Sequence, residues 1–194
     1  LTAATVWLTR KWFPGAAGSG IPQVKAAIDP ALPPEKRHLF ASLRLTLAKM
    51  GLTVAGFLAG LSVGREGPSV QVAAGVLQDG RRWMSATSTQ DTRSLLIAGG
   101  AAGIAAAFNA PLAGVVFAIE ELSGRIETRA SGLVITAILL SGLVAMSFFG
   151  NYTYFGRIQI PRIDTHIFAP GLLVSLADGA AGRLFLGVGV GALS

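Results

Sequence analysis

Three short interruptions in a mostly apolar chain carry the residues that could do chemistry. They are "GSGIP" at 18–22, "GREGP" at 64–68 and "FNAP" at 108–111. Each places a proline at or near the expected start of a helix, where its missing N–H costs nothing. Two add glycines, which accept unusual backbone angles and allow close approach. A helix start presents unpaired N–H donors and about half a positive charge. Several such ends aimed at one point make an anion site without a full cationic side chain. Ser19, Gly20 and Ile21 offer a hydroxyl and two amides for that purpose, although a serine there also serves as an ordinary helix cap. Arg65 and Glu66 stand between nearly uncharged flanks at 50–63 and 70–77. Taken alone they read as a structural ion pair. Glu120 and Glu121 form a second acidic pair near the end of an apolar run, which also fits a solvated helix end.

The elements that must position these residues are mostly short. Residues 1–13 read as the end of a membrane helix with an interfacial cluster, Arg10, Lys11 and Trp12. A Gly/Ser loop then leads into a short helix with Pro22 near its first turn. Residues 29–38, "DPALPPEKRH", form the clearest aqueous loop. An apolar helix with Arg44 and Lys49 is expected at 40–63; Lys49 can snorkel to an interface. A short helix at 70–77, a polar stretch at 78–93, a Gly/Ala-rich helix at 94–107 and an apolar segment at 112–121 follow. In the Gly/Ala-rich helix Gly99, Gly100 and Gly103 are expected to serve tight packing. Residues 131–149 carry no charge and alone approach the roughly 20 residues of a plain membrane span. A polar connection at 151–166 and a last apolar segment at 171–193, holding Asp178 and Arg183, complete the chain.

Composition agrees with a membrane setting. The 194 residues are 52% hydrophobic and 13% charged, about half the charge of an ordinary soluble domain. Helices too short to cross a bilayer alone, with irregular backbone between them, are tolerated only inside protein or beside a cavity. That arrangement points to a transporter or channel built from discontinuous helices. The absence of cysteine excludes disulfides and thiolate metal sites, and no metal or cofactor is implied. The net charge of +6 suits basic loops facing anionic lipid. Scattered basic residues without a basic aromatic face argue against nucleic-acid binding. No Gly-Lys-Ser/Thr phosphate loop is present, which argues against a soluble phosphate-binding enzyme. The apolar first and last residues suggest a piece of a longer protein.

"GSGIPQV", "GREGPSVQ" and "AAFNAPLAGVVFAIEEL" resemble, in order, the motifs of the CLC family of chloride channels and chloride/proton antiporters. Lys49 stands in the helix preceding the second motif, as in that family. The resemblance runs from about residue 18 to 121. It implies an all-α membrane fold of discontinuous, tilted helices in two inverted halves, of which 1–194 would be most of the first. It further implies a multi-pass protein of the cell (inner) membrane, working as a homodimer in the lipid bilayer on chloride and protons. Ser19 matches the hydroxyl that contacts chloride, and proline there is associated with nitrate preference. Glu66 matches the gating glutamate, whose carboxylate occupies an anion site and leaves it on protonation. Glu121 matches the proton-transfer glutamate of the antiporters, where the channels usually have an apolar residue. Arg65, Gly67 and Lys49 are supporting residues. Antiport is therefore the expected activity, with a passive chloride channel, or a fragment inactive alone, as the alternative. "HIFAP" at 166–170 only partly fits a family motif from the second half and is read as a loop before the next helix, with Phe168 outside the site.

Overall fold

Every regular element among the described residues, 2–83, 91–123, 131–150 and 168–191 of this computed structural model, is helical. The chain divides into two units, Leu1–Gly156 and Arg157–Ser194. The first holds α1 (Thr2–Trp12), α2 (Ile21–Ile28), α3 (Leu43–Leu58), α4 (Glu66–Gly80), α5 (Thr92–Phe108), α6 (Pro111–Phe117) and α7 (Ser131–Phe149). Short 3-10 turns occupy Pro14–Ala16, Pro34–Leu39 and Arg81–Trp83, and a π-helical turn, Ala118–Ser123, continues from α6. The second unit holds α8 (Phe168–Gly191).

At the centre of the first unit lies α5, buried on nearly every side from Leu95 to Ala107. Its glycines explain how. A Cβ on Gly99 would lie 2.6 Å from the carbonyl oxygen of Ala73, and one on Gly103 would lie 2.6 Å from that of Ser69. The backbones of α4 and α5 therefore touch, which only residues without side chains permit. On another side α7 buries Val134, Ile138 and Ala145, and Ser141 Oγ donates to Ala102 O at 3.0 Å. The remaining faces of α7 expose Leu139, Leu140, Leu143 and Val144. Its 19 residues span about 28 Å at 1.5 Å each, close to the roughly 30 Å of a bilayer core. In contrast α2 and α6, with 8 and 7 residues, reach only part of that depth. The reading of Gly99 and Gly103 as packing residues is met directly. Gly103→Val is expected to destabilise the fold by about 1–3 kcal/mol or more, read as a lower melting midpoint in detergent. An unchanged midpoint would contradict this packing.

Several expected boundaries need correction. The helix expected at 40–63 begins at Leu43, where Ser42 Oγ accepts from Leu45 N, and ends at Leu58 before Gly60 turns to φ 79°. The aqueous loop at 29–38 contains a 3-10 turn from Pro34. Helix α4 starts at Glu66 rather than 70 and runs past 77 to Gly80. Pro68 is no obstacle, because the first four N–H groups of a helix have no partner within it. For the same reason Pro170 lies inside the first turn of α8, so Phe168 to Pro170 are helical rather than loop. The segment expected at 112–121 changes from α to π geometry at Ala118. Asp178 and Arg183 do not interrupt α8, which is continuous. His166 and the connection at 151–166 lie outside the described residues, as do 84–90 within the polar stretch at 78–93.

Candidate functional site

The first and second motifs meet backbone to backbone. Gly18 and Gly20 take φ of 77° and 117°, angles that residues with a Cβ rarely adopt. These turns swing Ser19 out and set Gly20 at the head of α2. There Gly20 faces Gly67, in the first turn of α4: a Cβ on Gly20 would overlap the Gly67 carbonyl, and one on Gly67 would overlap Ser19 Oγ and Ser19 O. The starts of α2 and α4 thus abut, with the exposed Ser19 hydroxyl against the helix that Glu66 opens. Glu66 is half-buried and folds back over its own loop, its Oε2 2.5 Å from where a Cβ of Gly64 would stand. Two helix N-termini and one carboxylate share this junction, an arrangement that can hold an anion or replace it.

Buried polar side chains hold the junction in place. Lys49 is 4% exposed, and its Nζ donates to Ala16 O at 2.8 Å and Gly18 O at 2.6 Å. Lys49 is therefore turned inward beneath the Ser19 loop instead of snorkelling outward. Gln71, 1% exposed, donates through Nε2 to Gly15 O and Phe40 O, both at 2.8 Å. Sequence reasoning missed it, although a glutamine on the apolar face of "GREGPSVQ" was a usable signal. Gln23 was missed too: its Oε1 accepts from Gly20 N at 2.9 Å, and its Nε2 donates to Ala17 O. This corrects one expectation, since the Gly20 N–H offered as an anion donor is already held by Gln23. Ser19 Oγ and the Ile21 amide are the donors left from the expected three.

Arg65 does not depend on Glu66 for an anchor. Its Nη2 donates to Ala107 O at 3.0 Å, in the last turn of α5, where unpaired carbonyls welcome a cation. That turn ends at Asn109, the αL residue (φ 52°) of "FNAP", after which Pro111 starts α6. The third motif thus works as a helix break that also receives Arg65. Beside the junction opens a cavity of about 330 Å³ lined by Thr9, Arg10, Gly18, Lys49, Thr53 and Pro68 among others, roughly ten times the volume share of one water. Its walls carry two cations and hydroxyls, so Arg10, expected only as an interfacial cap, faces this cavity. Glu121 lies on the π-helical turn and is half exposed, its Oε1 3.0 Å from Lys25 Nζ on α2. No cluster of His, Cys, Asp and Glu able to hold a metal occurs among the described residues.

The sequence profile of the family described as "Voltage gated chloride channel" matches residues 1–191. The chain belongs to that family, the CLC family. It is an integral membrane protein of all-helical fold. Curated CLC relatives include the H(+)/Cl(-) exchange transporter ClcA of Cronobacter sakazakii, 32% identical over 92% of this chain and 38% of the relative. ClcA of Citrobacter koseri is 30% identical over 92% of this chain and 37% of its own length. ClcA of Vibrio cholerae is 38% identical over 72% of this chain and 28% of the relative. The chain thus spans less than two fifths of the length of these CLC relatives.

Proposed function

We propose that this chain forms the anion-handling part of a chloride/proton antiporter, multi-pass in the inner cell membrane and paired as a homodimer. The observation that carries the reading is the abutment of α2 and α4 at Gly20 and Gly67, with Ser19 on one side and Glu66 on the other. Chloride entering the junction accepts hydrogen bonds from Ser19 Oγ and Ile21 N–H and gains from both helix N-termini. Cations Lys49 and Arg10 raise the potential along the adjoining cavity, which favours an anion over a cation. The Glu66 carboxylate competes for the same positive region, and a proton taken up by Glu66 removes that competition. Glu121 supplies the second proton-carrying carboxylate. Gly67 gives room for the close approach, and Arg65 fixes the loop by its bond to Ala107 O. The relatives' names, which state H(+)/Cl(-) exchange, support exchange over passive conduction.

The test is transport by the full-length protein in sealed vesicles. A chloride gradient is expected to move protons against a pH gradient. Chloride flux with no proton movement would identify a passive channel, and absence of chloride flux would contradict the reading altogether.

A further inference from the structure

Helix α2 carries the anion loop at its start and, five residues on, a lysine bonded to the acidic turn after α6. Lys25 Nζ lies 3.0 Å from Glu121 Oε1 across 96 residues of sequence. At 1.5 Å per residue the lysine stands about 8 Å along the axis from Gly20. Resting on the antiport reading above, we propose that Lys25 is a positioning residue through which protonation of Glu121 changes chloride binding at Ser19 and Ile21.

Beyond the abutment of its start on Gly67 of α4, two contacts of different strength hold α2. Its inner face, Val24, Ala27 and Ile28, is buried in the core and keeps the helix in the fold. Its outer face is tied by the Lys25–Glu121 bridge, with side chains 50% and 45% exposed. A bridge so exposed contributes little to stability, so breaking it leaves the fold intact while freeing the tilt of the helix. When Glu121 accepts a proton its carboxylate becomes a neutral acid, Lys25 stays an ammonium, and their attraction is lost. The released helix carries Ser19, Gly20 and Ile21 with it, because Gly20 heads α2 and Gln23 clamps the loop to its first turn.

The surrounding charges do not offer Lys25 another route. The elements packed on the Glu121 turn are α2, α5 and α6. Their charged residues are Lys25 and, at the far start of α5, Arg93, with Glu120 adjacent on the turn itself. Against α2 pack α4, α5, the Pro34–Leu39 turn and the Glu121 turn, which bring Glu66, Asp79, Arg93, Glu35, Lys36, Arg37 and His38. Among the described residues, Glu121 is the acid within ion-pair distance of Lys25.

Chloride titration of the full-length protein by calorimetry tests this, with Lys25→Met, Glu121→Gln, the double variant and Lys25→Arg. Charge alone predicts opposite signs, because Lys25→Met removes a cation near the anion and Glu121→Gln removes an anion. The bridge predicts the same sign. Each single variant should weaken chloride about two- to fivefold, the range that an exposed ion pair supplies. The double variant should be no weaker than either single one, since both break the same contact. Lys25→Arg should bind chloride nearly as the wild type does. Opposite signs, additive losses or unchanged affinities, with wild-type chloride binding intact, would overturn the proposal alone. A wild type that binds no chloride would overturn the transport reading and the proposal with it.

Discussion

Glu66→Gln in the full-length protein is expected to carry chloride at a rate on the order of the wild type while proton transport falls to background. The amide copies the shape and neutrality of the protonated acid but cannot release a proton, so the competition with chloride is permanently removed. Flux should also lose its dependence on external pH. A purely structural Arg65–Glu66 pair predicts a different outcome. On that reading the loss of its partner carboxylate would unseat the Arg65 loop, and the variant would fail to fold or to reach the membrane. The bond from Arg65 to Ala107 O argues against that outcome, because the guanidinium keeps an anchor at the end of α5. Expression and flux measured on one preparation separate the two. A well-folded variant whose chloride flux still drives protons uphill would sink the gating role of Glu66.

The second large effect comes from one methyl group. Gly67→Ala puts a Cβ where Ser19 Oγ, the Ser19 carbonyl oxygen and, at 2.9 Å, the Ser19 carbonyl carbon already are. Backbone atoms cannot swing aside as a side-chain end can, so the starts of α2 and α4 must part. A chloride held by donors from both sides then loses at least one charge-assisted hydrogen bond. Such bonds contribute about 1.5–3 kcal/mol, which corresponds to roughly a ten- to hundredfold loss of affinity. Gly51→Ala is the matched control: it lies within α3 with nothing near its added Cβ, and alanine is the better helix former. Chloride affinity in Gly67→Ala equal to that of Gly51→Ala would show that the junction does not hold the anion.

The sequence made the site's grammar readable because local chemistry dictates it. Gly18 and Gly20 need positive φ, Pro22 and Pro111 mark helix starts, and the uncharged run of α7 has a length that matches a bilayer. What stayed hidden depends on groups far away in the chain. Whether Lys49 snorkels or turns inward is decided by carbonyls at Ala16 and Gly18, more than thirty positions earlier. The loss of the Gly20 amide as an anion donor follows from the rotamer of Gln23, which no spacing reveals. Pro68 and Pro170 misplaced two helix starts, because proline is equally at home one turn inside a helix. The Lys25–Glu121 bridge joins elements that sequence order keeps apart, so neither residue announced the other.

The claim at the centre of this account is that chloride and the Glu66 carboxylate contend for one positively polarised junction. Proton uptake on chloride binding measures it most directly, by calorimetric titration of the full-length protein in buffers of different ionisation enthalpy. If chloride displaces the carboxylate and favours its protonation, binding takes up protons in the wild type, and linkage makes the effect reciprocal. The wild type is predicted to show buffer-dependent enthalpies from net proton uptake and chloride affinity that rises as pH falls; Glu66→Gln is predicted to lose that uptake and that rise, leaving only the smaller, opposite effect of Glu121. Proton uptake of equal size in wild type and Glu66→Gln, or none in the wild type at any pH where chloride binds, would contradict the account.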